Sequence, residues 1–204
     1  MRVTTFAAVL VLALLTACFA LDQKEALTID GFEGAISGGP QGTVDFGAGN
    51  GSKVAVSAAS QPAYSGKQSL KIDYDAVQAG YIWVARGLDL DAKNSGWQVK
   101  PESIDWKKYN AFGFYVYGSG SKAKVAFDIK DSGNEIFRYI FEDNFKGWKQ
   151  IVCPFSDFIA RSDWQPAGAD KNGAIDFPIK SYQFEPMPPA KGALYFAQIE
   201  VIKK

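Results

Sequence analysis

Within four residues, Arg161-Ser162-Asp163-Trp164 brings together a guanidinium, a carboxylate and a large flat ring. That set suits a ligand with an apolar face and a polar rim. The ring covers the face, while Arg and Asp make paired, charge-assisted hydrogen bonds to adjacent hydroxyls. A sugar ring presents both features. The same residues equally allow a local surface ion pair with Trp164 packed beneath its loop, and their types leave both arrangements open. Asp128, Asp131, Glu135, Glu142 and Glu185 add carboxylates of the kind a glycosidase needs. Such an enzyme sets two of them about 5–9 Å apart, and no spacing here marks a pair.

Composition narrows the classes. The 204 residues include no histidine, which removes Ser-His-Asp and Cys-His nucleophiles and any imidazole-built zinc site. Lys and Arg number 22 against 22 Asp and Glu, and the chain has no basic run, so a nucleic-acid groove is not expected. Gly38-Gly39-Pro40 lacks the Lys-Ser/Thr and the helix of a phosphate loop. A length near 200 residues and 47% hydrophobic content fit one globular domain. An Asp/Glu enzyme, a binding module and a structural protein stay open.

The N-terminus reads as an export signal. Met1-Arg2 precedes an apolar run over 6–15 that is too short to cross a bilayer. Leu15-Thr16-Ala17-Cys18 resembles a bacterial lipoprotein signal, with Cys18 as the acylated residue. The signal then covers 1–17, or 1–20 if cleavage follows Ala20. The expected product is a monomer exported to the cell envelope or secreted, touching membrane only through a lipid anchor. Cys153, in the apolar run 150–155, is expected as a small buried hydrophobe with no disulfide.

The elements that position these residues read as all-β. Short β-branched and aromatic runs alternate with Gly, Ser, Asn, Asp and Pro clusters, as in a sandwich or barrel. Strands are predicted over 27–30, 53–57, 69–74, 80–86, 111–117, 122–130, 136–141, 149–153, 181–184 and 194–202. Gly118-Ser119-Gly120-Ser121 and Asp131-Ser132-Gly133-Asn134 read as hairpin turns, making 111–141 a three-stranded meander. The glycine-rich stretch 34–52 reads as a long loop. Alternation puts Phe112, Phe114 and Val116 on one face and Tyr115 and Tyr117 on the other. Val125, Phe127 and Ile129 likewise oppose Lys124, Asp128 and Lys130, and Tyr81 and Trp83 oppose Ile82 and Val84.

An ordered set of motifs resembles the family 11 carbohydrate-binding modules. It runs from Asp30-Gly31-Phe32-Glu33-Gly34 through Ser65-Gly66-Lys67, Gly80-Tyr81 and Asp105-Trp106-Lys107-Lys108-Tyr109. It ends with Trp148-Lys149, Pro154-Phe155-Ser156-Asp157-Phe158 and Arg161-Ser162-Asp163-Trp164-Gln165-Pro166. Related galactose-binding-like domains of the complex I assembly-factor type share some of these pieces. The resemblance implies a two-sheet antiparallel β-sandwich of jelly-roll type over residues 27–204. It implies non-catalytic binding of a polysaccharide or oligosaccharide, most naturally a β-glucan such as cellulose or mixed-linkage glucan. The alternative is an envelope interaction or assembly protein on the same fold.

By the resemblance, Tyr81 and Trp164 stack on sugar, Arg161 and Asp163 bond hydroxyls, and Asp128 and Tyr182 join the substrate-binding set. Lys180, Pro186 and the missing histidine depart from the family's cleft, so identical specificity does not follow. One structural Ca²⁺ is implied, with Asp30 and Glu33 as ligands, although Ala197 stands where the family tends to place another Asp.

Overall fold

Inward apolar side chains at alternate positions mark most strands of the structure, a computed structural model that describes residues 25–204. Cys18 and the expected signal segment lie outside those residues. One sheet contains β1 (Ala26–Asp30), β3 (Lys53–Ala59), β4 (Ser69–Ala76), β6 (Ala111–Ser119), β9 (Lys146–Pro154) and β12 (Ala190–Ile202). Its order is β3-β4-β12-β6-β9, with β1 on the second half of β12. The other sheet contains β2 (Asp45–Gly49), β5 (Tyr81–Gly87), β7 (Lys124–Lys130), β8 (Ile136–Glu142), β10 (Ile159–Ala160) and β11 (Ser181–Pro186). Its order is β10-β8-β7-β11-β5-β2. All the pairings are antiparallel. The fold is the expected two-sheet sandwich.

Between the sheets lies an aromatic core. Phe112, Phe114, Phe127, Phe184 and Phe196 are fully buried, each contributing roughly 2–3 kcal/mol by leaving water. Phe184 of β11 stacks on Phe196 of β12 across the sandwich, with centroids 3.8 Å apart. Cys153 is a buried free thiol, pushed well above its ordinary pKa by burial.

Two expectations fail. The stretch 34–52 is not all loop, because Asp45–Gly49 forms the edge strand β2 beside β5. Residues 111–141 are not one meander either. β7 and β8 form the expected hairpin, but β6 pairs with β9 and β12 in the opposite sheet. The segment after β6 crosses between sheets around Asp143. The Asp143 carboxylate accepts from the backbone N–H of Ser119, Gly120 and Ser121 and from both serine hydroxyls.

Candidate functional site

Register across the second sheet assembles its outer face. Asp45, Ala85, Gln183, Asp128, Arg138 and Ile159 fall in one row across its six strands. Above this row opens a cleft of about 730 Å³, lined by Tyr81, Trp83, Lys130, Gln183, Glu185 and the loop after β10, among others. That loop is docked by Gln165. Its side-chain amide donates to the carbonyls of Ile136 and Arg161, and its oxygen accepts from Ile136 N–H at 2.7 Å. Gln165 thus replaces a strand's worth of pairing and fixes where Arg161, Asp163 and Trp164 stand.

The floor is an ionic network. Arg138 grips Asp128 with Nε at 2.7 Å and Nη2 at 2.8 Å, and Nη2 also reaches Glu185. Arg161 Nη1 lies 3.1 Å from both Asp128 and Glu185. Its Nε and Nη2 hold Asp163 bidentately at 2.9 Å. Burial works against the Arg161 charge, yet Asp163, Glu185 and Asp128 hold the guanidinium protonated more firmly than usual. The Arg161 hydrogen bonds keep Asp163 at about 2, below the ordinary carboxylate value. Glu185 is raised by its own burial, against the pull of both arginines.

Aromatic rings stand on both sides of this floor. Trp164 is 55% exposed, with the Arg161 guanidinium 5.9 Å from its ring centroid. Tyr81 is 48% exposed and lies beside Trp83, with centroids 6.0 Å apart and planes 20° apart. Beyond them, Lys180 pairs with Asp89 at 3.2 Å and donates to Asn134, while Lys130 donates to the Asp89 carbonyl. Burial lowers the Lys130 pKa, and neighbouring Lys180 adds to that effect.

Comparison with known proteins identifies the frame. The model of the carbohydrate binding domain (family 11) matches residues 21–204. The chain belongs to family 11. A family 11 module from Clostridium thermocellum, solved in complex with a β-1,3-1,4-mixed-linked tetrasaccharide, superposes with a TM-score of 0.68. It is 25% identical, and the match covers 87% of this chain and 95% of that one. The family 11 module of a cellulosomal cellulase from the same organism gives 0.66 at 22% identity, covering 88% and 95%, which speaks to fold alone. Endoglucanase H of Acetivibrio thermocellus is 28% identical over 167 residues. That alignment takes in 72% of this chain but 15% of the enzyme.

Within this family 11 domain, the sequence-derived site divides. Tyr81, Arg161, Asp163 and Trp164 meet in one cleft. Arg161 and Asp163 do form the local ion pair, but Trp164 stays exposed instead of packing beneath the loop. Asp128 lies in the cleft floor, buried under Arg138, Arg161 and Gln183 with both oxygens engaged, so it orients Arg161.

Tyr182 requires correction. On β11, Ser181, Gln183 and Glu185 point to the cleft, so Tyr182 points between the sheets. It is 2% exposed and donates to Asp30 Oδ2 at 2.8 Å. The two residues of the expected calcium pair have other partners. Asp30 is buried against the Arg86 guanidinium and the Tyr182 hydroxyl, so a fixed cation already neutralises it. Glu33 accepts from Lys67 N–H. Among the described residues no group of three acidic, His or Cys side chains could hold a metal.

Arg138, Gln165 and Trp83 belong to the site and went unassigned from sequence. For Trp83 a signal existed: it shares a strand face with Tyr81, opposite Ile82 and Val84.

Proposed function

We propose that this domain is a non-catalytic module that binds a neutral β-glucan of cellulose or mixed-linkage type. One observation carries the reading: a single cleft of a family 11 chain holds the exposed Trp164 ring, the anionic Asp163 and the exposed Tyr81 ring. Rings cover pyranose faces, and Asp163, 60% exposed while Arg161 fixes it, accepts from hydroxyls along the rim. The tetrasaccharide bound by the 25%-identical module supports the choice of glucan. The engagement of Asp128 and Glu185 by two arginines supports a holding role over proton transfer.

The module acts as an exported monomer in the bacterial envelope or outside the cell, anchored through Cys18 if lipoprotein processing occurs. The mass of its mature N-terminal peptide reads that processing. Affinity electrophoresis against a polysaccharide panel tests the binding reading. Retardation by mixed-linkage β-glucan is expected, and Trp164→Ala should lose most of it. A panel with no retardation overturns the reading.

A further inference from the structure

We propose that Tyr81 and Trp83 form one two-ring platform for consecutive pyranose units, and that Gly47 and Gly49 create it. The proposal rests on the glycan-binding reading and adds a specificity device to it. Residues 81 and 83 share a face of β5, two positions apart. Side chains at such positions ordinarily stand upright from a sheet. Here the two rings lie over the neighbouring edge strand β2, nearly parallel, with 6.0 Å between centroids.

The reason is steric. β2 sets Gly47 opposite Trp83 and Gly49 opposite Tyr81. A Cβ at Gly47 would stand 2.3 Å from Trp83 Cη2, and one at Gly49 would stand 2.2 Å from Tyr81 Cζ. Both distances are far inside van der Waals contact, so any other residue would lift the ring above it.

The indole edge is fixed as well. Trp83 Nε1 donates to Asp45 Oδ1 at 3.3 Å, and Asp45 Oδ2 accepts from Asp91 N–H at 3.0 Å. The polar edge of Trp83 is therefore bound by the protein and its face is left to the cleft. Two faces lying side by side match adjacent sugar rings whose hydroxyls are equatorial. A branch directed at either face would raise the chain off the platform. The device thus selects an unbranched β-linked segment at this end of the cleft.

Calorimetric titration with mixed-linkage β-1,3-1,4-glucan tests the platform. The proteins are the wild type and the variants Trp83→Ala, Trp83→Phe, Gly47→Ala, Trp164→Ala and the Gly47→Ala/Trp83→Ala double mutant. Trp83→Ala should weaken binding about tenfold, as loss of a stacking anchor does. Trp83→Phe, which keeps a ring face, should recover most of that loss. Gly47→Ala should weaken binding and alter the near-ultraviolet tryptophan circular dichroism. The double mutant should bind no worse than Trp83→Ala, because Gly47 acts only through the ring.

Wild-type affinity in Trp83→Ala, or losses that simply add in the double mutant, would overturn the platform. If Trp164→Ala still abolishes binding in that case, the cleft reading survives alone. A wild-type protein that binds no glucan overturns both.

Discussion

At the scale of single residues, the cleft joins fixed charges to open ring faces, and the chain has no histidine to titrate near neutrality. Asp163 is depressed from 3.8 to about 2 by Arg161, so its anion persists as pH falls past the ordinary carboxylate range. Glucan affinity should therefore stay flat from pH 8 down to the range where the raised Glu185 takes up its proton, with a further fall as Asp163 protonates near 2. A calorimetric pH series checks this, and an inflection at neutral pH or above would contradict it.

Arg138 is the second test at this scale. Removing it leaves the buried Asp128 and Glu185 to share Arg161 alone. Arg138→Ala should cost about 3–5 kcal/mol in urea unfolding, as broken buried ion pairs do. Arg161, Asp163 and Trp164 were legible in the sequence because they are contiguous and chemically complementary. Arg138 went unread although the expected β7–β8 hairpin sets it opposite Asp128, because the turn residues alone leave the register open by one position. Tyr182 shares a strand face with Phe184 and alternates with Gln183 and Glu185, so its inward direction was written in the pattern.

At the scale of elements, the crossover from β6 to β7 depends on the Asp143 clamp. Burial opposes ionisation of Asp143, but the hydrogen bonds from Ser121, Gly120 and Ser119 outweigh it and lower the pKa below 3.8. A depressed acid stabilises the fold fully above its unfolded value and loses that contribution as pH falls through the folded one. Asp143→Asn replaces one carboxylate oxygen with an amide NH₂ that faces donors and should cost about 2 kcal/mol at pH 7. The gap between variant and wild type should close as pH drops below 4, as thermal melts in a pH series would record. The turn Gly118–Ser121 was readable as a reversal, but its composition does not say which sheet the chain enters next. β2 was unreadable for a related reason. Glycine lowers strand propensity, and here it is retained because aromatic rings from β5 occupy the space of its side chains.

At the scale of the whole molecule, the sandwich was legible because inward Phe, Val and Ile recur at every second position and chain reversals follow at short intervals. The Phe184–Phe196 stack ties the two sheets together at their centre. Phe184→Ala should cost about 3–5 kcal/mol by leaving a cavity there, measurable as a lowered urea midpoint with an unchanged m-value. The placement of β12 also governs how the domain can be made. This last strand in chain order lies between β4 and β6, and its far half bridges β1 to β6. Until a ribosome has delivered residue 202, β4 and β6 each present an open edge, and the first sheet exists only as separate fragments. Nascent chains are then held back from premature closure by their own topology. Shortened products would expose unpaired edges that invite aggregation.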